Sequence, residues 1–144
     1  MNKNYFDITR WHEIDAGHRV VGQGGKCTRL HGHRYRIHFI ISNEVLNDIG
    51  MVLDFGIIKE KLCAWLDLNW DHRLLIWEED PMLPALRAVD PQGVVSVPFN
   101  PTAENMADFL LRVTGPQLLE DEPCRLVAVT VEETSKCAAT VTAQ

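Results

Sequence analysis

The sequence predicts an α+β domain in which a four-stranded antiparallel sheet carries two helices on one face. Three observations predict it. Two long stretches near the start, Tyr5 to Val21 and about Leu30 to Ser42, alternate apolar and polar residues with the period of a strand. Two interior stretches repeat apolar residues at helical spacing. The chain then closes on two further alternating stretches, Arg125 to Glu133 and Cys137 to Thr142. The order is two strands, a helix, a variable insert, a second helix and two strands. No repeat, low-complexity segment or Ser/Gly linker divides the 144 residues, so a single domain over 1–144 is expected.

In the first strand Phe6, Ile8, His12, Ile14, Ala16 and His18 fall on one face. A Gly-rich loop, Gly22 to Lys26, leads to the second strand. There His31, His33, Tyr35, Ile37, Phe39 and Ile41 share a face, while Arg34, Arg36 and His38 point the other way. Asn43 to Gly50 reads as a turn, and the two strands are expected to pair antiparallel. Met51 to Leu53 is a short extended piece, and Asp54 suits the cap of the next helix. Ile58, Leu62, Trp65 and Leu66 give that helix its apolar stripe; it should fade near Asn69, leaving Asp71 and His72 at its end or beyond. Asp80-Pro81 opens a short helical turn through about Val89, and Val94 to Val97 reads as a minor strand. Asn100-Pro101 reads as the start of the second helix, with asparagine capping and proline in first position. Ala103, Met106, Ala107, Leu110 and Val113 form its apolar side, and Gly115-Pro116 is expected to end it. In the penultimate strand Val127, Val129, Val131 and Glu133 share a face, so a carboxylate ends an apolar row.

A hydrophobic content of 46% fits a packed core and excludes a disordered or collagen-like chain. The apolar runs, such as Phe39 to Ile41, are far too short for a bilayer-crossing helix. The opening "MNKNYFDITRWHEIDAG" lacks the apolar centre of a secretion signal, and no membrane association is expected. The four cysteines, Cys27, Cys63, Cys124 and Cys137, form no C-x-x-C pair; reduced thiols in a cytoplasmic protein are expected. A net charge of -6 runs against nucleic-acid binding. Lys26, Arg29, Arg34 and Arg36 make one region basic, which suits a small anionic substrate as well as it suits a solvated strand edge.

Residues i and i+2 of a strand point the same way, so His31 and His33 can offer two imidazoles to one ion. If the first two strands pair antiparallel, His18 lies across from them and supplies a third nitrogen. Three histidines with a fourth position open is the pattern of catalytic zinc, which acts as a Lewis acid on a substrate oxygen. A lone His-x-His pair arises by chance more often than not, so the third histidine carries the weight. His12 shares the parity of His18 and is a rival ligand, set further along the strand.

Cys27 stands four residues before His31. A thiolate there could remove a proton from a carbon beside a metal-bound oxygen. Cys63, Cys124 and Cys137 read as small buried hydrophobes. Asp71-His72 offers a second proton carrier, although adjacent residues rarely bond each other well. Glu133, on an apolar face, is costly without a partner and could take a guanidine-like edge of a ligand by two parallel hydrogen bonds; an exposed strand end is the plainer reading. Glu104 is explained by the helix dipole, and Thr102 by its place at a helix start.

With these residues assembled, the chain resembles the 6-pyruvoyl-tetrahydropterin synthase / 6-carboxytetrahydropterin synthase family. The resemblance runs through "IDAGHRV", "GKCTRLHGHRY", "GMVLDF", "WDHRLL", "NPTAENMADFLL" and "VTVEET", in family order. The short spacing in "CTRLHGH" looks like the carboxytetrahydropterin branch, in 7-deazaguanine and queuosine biosynthesis. The resemblance implies a ββααββ T-fold whose trimers close their sheets into a β-barrel, two trimers stacking as a hexamer with active sites between subunits. It implies Zn2+ on His18, His31 and His33, a proton-transfer set of Cys27, Asp71 and His72, and a pterin ring anchored by Glu133 with Thr102 nearby. The implied reaction converts 7,8-dihydroneopterin triphosphate to 6-carboxy-5,6,7,8-tetrahydropterin, releasing acetaldehyde and triphosphate. Lys26, Arg29 or Arg34 would meet the triphosphate. The chain departs from many relatives at Trp70, at the apolar "LLI" after the Asp-His pair, and in a longer insert from Trp77 to Val97. Synthesis of 6-pyruvoyl-tetrahydropterin, aldolase cleavage of the pterin side chain, and a non-catalytic zinc- or pterin-binding module stay open on the same scaffold.

Overall fold

The structure, a computed structural model, describes residues 4–143. The expected domain, 1–144, reaches past these at both ends. Strands β1 (Phe6–His18) and β2 (His31–Asn43) pair antiparallel from Phe6↔Asn43 to His18↔His31. The alternation in sequence does what it predicts. Ile14, Ala16, Tyr35, Ile37, Phe39 and Ile41 are buried on the face that carries the helices. The other face pairs charges across the ladder: Arg34 Nε donates to Asp15 Oδ1 at 3.0 Å and Arg36 Nη2 to Glu13 Oε1 at 2.7 Å. Exposed pairs of this kind are screened by solvent and contribute little to stability. Their stronger effect is on register, because a one-residue slip would turn every side chain to the wrong face.

Helix α1 spans 55–69 with a π-helical turn at Lys59–Cys63. Asp54 caps it as expected, its Oδ1 accepting the Gly56 N–H at 2.7 Å. Ile58, Leu62, Cys63 and Leu66 bury against the sheet. Trp70 follows the helix, 2% exposed, stacked on Phe109 at 6.3 Å. The departure from the family pattern at this position is therefore a core contact.

The insert adds to the expected sheet. Strand β3 (Leu74–Trp77) pairs parallel with the end of β1, and β4 (Val94–Val97) pairs parallel with β3. Helix α2 (Leu83–Val89) crosses between them. With β5 (Arg125–Thr134) and β6 (Cys137–Thr142) the order is β4-β3-β1-β2-β5-β6. The four antiparallel strands are β1, β2, β5 and β6; two parallel strands extend them at the β1 edge. "LLIW" is a four-residue apolar run, too short for its period to declare a strand.

Helix α3 spans 103–118, and both of its ends differ from expectation. Thr102 is the cap, its Oγ1 accepting the Asn105 N–H at 3.1 Å. Pro101 lies outside the helix, and Asn100 instead grips Val21 through both its amide groups. At the far end the helix continues through a π-helical turn, Leu110–Thr114, and Gly115-Pro116 lies within it. Gly115 is demanded by packing: a Cβ there would meet Leu126 Cδ2 at 2.3 Å and the Leu110 carbonyl oxygen at 2.8 Å. Strand β5 also corrects a parity. A bulge against β2 between Ile40 and Ile41 makes Val127 the extra residue and places Leu126 in the core with Val129 and Val131. Cys63 is buried and Cys124 half-buried, but Cys137 is exposed at the start of β6. Among the described residues no helix is long and apolar enough to cross a membrane.

These contacts set a prediction. Alanine ordinarily favours a helix over glycine. Gly115→Ala should nonetheless lower stability, by about 1–3 kcal/mol from overpacking. Urea unfolding checks it; an unchanged or raised midpoint would show that β5 yields freely.

Candidate metal and active site

The β1–β2 register brings three imidazoles together. His18 ends β1 directly opposite His31, the first residue of β2, and His33 follows on the same face. One ligand nitrogen from each lies within 4.8 Å of the others. Two backbone carbonyls set the tautomers. His18 Nδ1–H donates to the Pro101 carbonyl and His31 Nδ1–H to the Arg29 carbonyl, each at 2.6 Å. A carbonyl can only accept, so both protons are on Nδ1 and both Nε2 lone pairs face the cluster. Those two Nε2 atoms are 3.1 Å apart. Facing lone pairs at that distance repel unless a proton or a cation lies between them. Ligand nitrogens on tetrahedral zinc, at ~2.0–2.1 Å from the metal, stand ~3.3 Å apart. The Nε2 of His33 is buried and makes no hydrogen bond. The donor set thus fits one metal ion, and the orphaned nitrogen is the atom that such an ion would satisfy.

Burial favours the neutral, liganding form of two of these imidazoles. His18 is 1% exposed, and burial lowers its pKa against the raising effect of its Pro101 bond. Burial lowers that of His33 too. Tyr35 packs edge-on beneath them, 5.8 Å from the His18 ring centroid and 5.5 Å from that of His33. Burial, then the Glu133 charge, pushes its phenol up, so it stays neutral. His12, the rival ligand, is elsewhere: its Nε2 pairs with Asp67 of α1 at 2.7 Å.

Glu133 is the extra residue at a second bulge in β5, where Glu132 pairs with Ala138 and Thr134 with Cys137. The bulge turns its carboxylate toward the histidines, Oε1 lying 3.3 Å from His18 Nε2 and 3.4 Å from His33 Nε2. The same residue lines a cavity of about 250 Å³ with Cys27, Thr102, Glu104 and Cys137. Cys27 reaches it from a single 3-10 turn, Lys26–Thr28. Three residues that the sequence singles out, Cys27, Thr102 and Glu133, therefore share one cavity wall, and Glu133 joins it to the histidines.

Asp71 and His72 are placed differently. Asp71 Oδ1 accepts the Asp15 N–H at 2.9 Å, and the His72 N–H donates to the Asp15 carbonyl at 2.7 Å. The backbone of His72 is left-handed, φ 57°, a conformation rare outside glycine. It brings His72 Nδ1 to 2.9 Å from Asp71 Oδ2, so these neighbours do bond. The Asp71 contact raises the pKa of His72. Burial pushes Asp71 up, but its bonds from Asp15 and His72 outweigh this and hold it low. His72 is 76% exposed and lines an open cleft of about 540 Å³ with His33, Arg34 and Arg73. Within one chain this pair is not part of the Cys27 cavity wall. The Pro101 and Arg29 carbonyls are the contributors that sequence reasoning misses, because a backbone oxygen leaves no signature in residue type.

Comparison with known proteins agrees with this architecture. The family model for 6-pyruvoyl tetrahydropterin synthase matches residues 7–144. A protein of Rickettsia bellii named 6-carboxy-5,6,7,8-tetrahydropterin synthase is 38% identical over 130 residues, covering 90% of this chain and 94% of its own. A Halobacterium salinarum protein named as a probable 6-carboxy-5,6,7,8-tetrahydropterin synthase is 40% identical over 122 residues, 84% of this chain and 76% of its own. Among solved structures, an uncharacterized protein from Wolinella succinogenes superposes with a TM-score of 0.85 at 22% identity, covering 98% of this chain and 99% of its own. The 6-pyruvoyl tetrahydropterin synthase of Caenorhabditis elegans superposes at 0.69 with 24% identity, covering 100% and 99%. At these identities the structural likeness is one of fold. Matched over nearly its whole length, the chain belongs to the 6-pyruvoyl tetrahydropterin synthase family.

Proposed function

We propose that this chain is a zinc-dependent lyase that converts 7,8-dihydroneopterin triphosphate to 6-carboxy-5,6,7,8-tetrahydropterin, releasing acetaldehyde and triphosphate. The reading places it in 7-deazaguanine and queuosine biosynthesis. One observation carries it: three histidines with inward-facing nitrogens lie against Glu133, whose carboxylate lines one cavity with the Cys27 thiol. The names borne by the relatives support the choice of product.

His18, His31 and His33 would hold the zinc. Bound there, zinc would supply Lewis-acid polarisation of the substrate's side-chain oxygens. The chain's own residues do the rest. Glu133 accepts two N–H groups from the pterin edge, which orients the ring and holds its side chain toward the histidines. Thr102 stands beside it, already committed to capping α3. Cys27 takes a proton from a side-chain carbon as general base. Asp71 and His72 form a second proton carrier, the carboxylate keeping the imidazole protonated to higher pH. His72 lines a second cleft, shared with His33 and not with Cys27, and a neighbouring copy would bring an Asp71-His72 pair to the Cys27 cavity. The reading therefore includes a homo-oligomer, a trimer or a pair of stacked trimers, with each site shared between subunits. Arg34, committed to Asp15 and lining the His72 cleft, would meet the triphosphate from that side; Lys26 and Arg29 flank Cys27 in the chain.

Two outcomes test this. Zinc-loaded protein given dihydroneopterin triphosphate should yield acetaldehyde and 6-carboxytetrahydropterin by mass spectrometry. A pyruvoyl product or a simple aldol cleavage would assign another branch, and tight pterin binding without turnover would make this a binding module. Cys27→Ala should lower kcat by about 10²–10⁴-fold, as for loss of a general base, while zinc content stays at the wild-type ratio. Loss of the metal with the thiol would make Cys27 a ligand and contradict its role.

A further inference from the structure

Arg19 follows His18 and carries a fork of hydrogen bonds outside the cavity wall. Its Nε donates to Asp80 Oδ2 at 2.6 Å and its Nη2 to Asp80 Oδ1 at 3.0 Å. Its Nη1 donates to the Thr28 carbonyl at 3.0 Å. The Asp80 side chain is 0% exposed and that of Arg19 15%. Asp80 belongs to the insert, where its Oδ1 also accepts the Met82 N–H at 2.8 Å. Two-point guanidinium–carboxylate pairing fixes direction as well as distance. The buried carboxylate therefore aims the third arm of Arg19.

That arm ends one residue after Cys27. The neighbouring Val20 N–H donates to the Cys27 carbonyl at 2.8 Å. Residues 19 and 20 thus hold the carbonyls of Thr28 and Cys27 together. Inside the turn, the Thr28 N–H and Oγ1 both bond the Gly25 carbonyl, at 3.2 and 2.6 Å. Docking the insert needs only the two bonds to Asp80; the third joins a different segment. A single 3-10 turn has little rigidity of its own, and a base must be held within ~0.5 Å of its working position.

We propose that Arg19 and Asp80 are positioning residues for Cys27: the insert, through the buried Asp80, aims Arg19 at the Thr28 carbonyl and so fixes the thiol over the cavity. This rests on the reading of Cys27 as the base. It gives the insert a role at the site without contact to substrate.

The test compares wild type with Arg19→Lys and Asp80→Asn. Lysine keeps a cation against Asp80 but cannot span to Thr28 as the planar fork does. Asparagine keeps an acceptor for the Met82 N–H. Iodoacetamide alkylation of the native protein, followed peptide by peptide, reports Cys27 against Cys137, which lines the same cavity. The Cys27-to-Cys137 rate ratio should rise about fivefold or more in either folded variant. The kcat should fall about tenfold or more, with KM and zinc content within about twofold of wild type. A ratio within about twofold of wild type in both variants overturns the proposal, as does unchanged kcat. Loss of zinc also overturns it, since the fork would then serve His18. If wild type itself yields no product, the functional reading fails and the alkylation ratio alone decides the clamp.

Discussion

Everything at the candidate site depends on one register, the pairing of His18 with His31 across β1 and β2. That pairing puts two imidazoles face to face, and the Pro101 and Arg29 carbonyls force their bare nitrogens inward at 3.1 Å. Facing lone pairs at that distance favour a cation between them. Strands of thirteen residues each, paired along their full length, hold them there, with an apolar core on one side and complementary charges on the other. A slip of one residue would expose Ile37 and Phe39 and scatter the histidines together. Core packing and metal geometry are thus two consequences of the same alignment.

The site is assembled in layers around that alignment. The bulge in β5 brings Glu133 to the histidines. The cap of α3 places Thr102 on the same wall that Cys27 enters from its turn. Asp71 and His72 are held outside it, their turn fastened to the backbone of Asp15. Cys27 and His72, both proposed for proton transfer, thus line different cavities of one chain, and the proposed oligomer would bring them together.

How far the sequence carries depends on the range of the interaction being read. Strand parity is a local property, and it located His18, His31 and His33 and the polar face of Arg34, Arg36 and His38 before any coordinates. Parity fails at a bulge, as it did at Val127, where Leu126 takes the core position. Glu133 kept its direction for a different reason than the alternation supplied, being the extra residue of a second bulge. Asn100 and Gly115 misled because each has a local meaning, cap and stop, that a tertiary contact overrides: Val21 claims the amide, and the side chain of Leu126 leaves no room for a Cβ. The short β3 strand and the link between Arg19 and Asp80 join segments far apart in the chain, and no single-sequence pattern encodes them. The family resemblance reached the Asp71-His72 pair and implied sites between subunits; that His72 and Cys27 line different cavities of one chain is visible only in the fold.

In the proposed site three histidine nitrogens, and no thiolate, hold the metal. X-ray absorption at the zinc edge of the loaded protein measures this directly. Imidazole nitrogens at ~2.0–2.1 Å with an atom lighter than sulfur completing the shell are the expected result. A sulfur scatterer at ~2.3 Å would place Cys27 on the metal and contradict it.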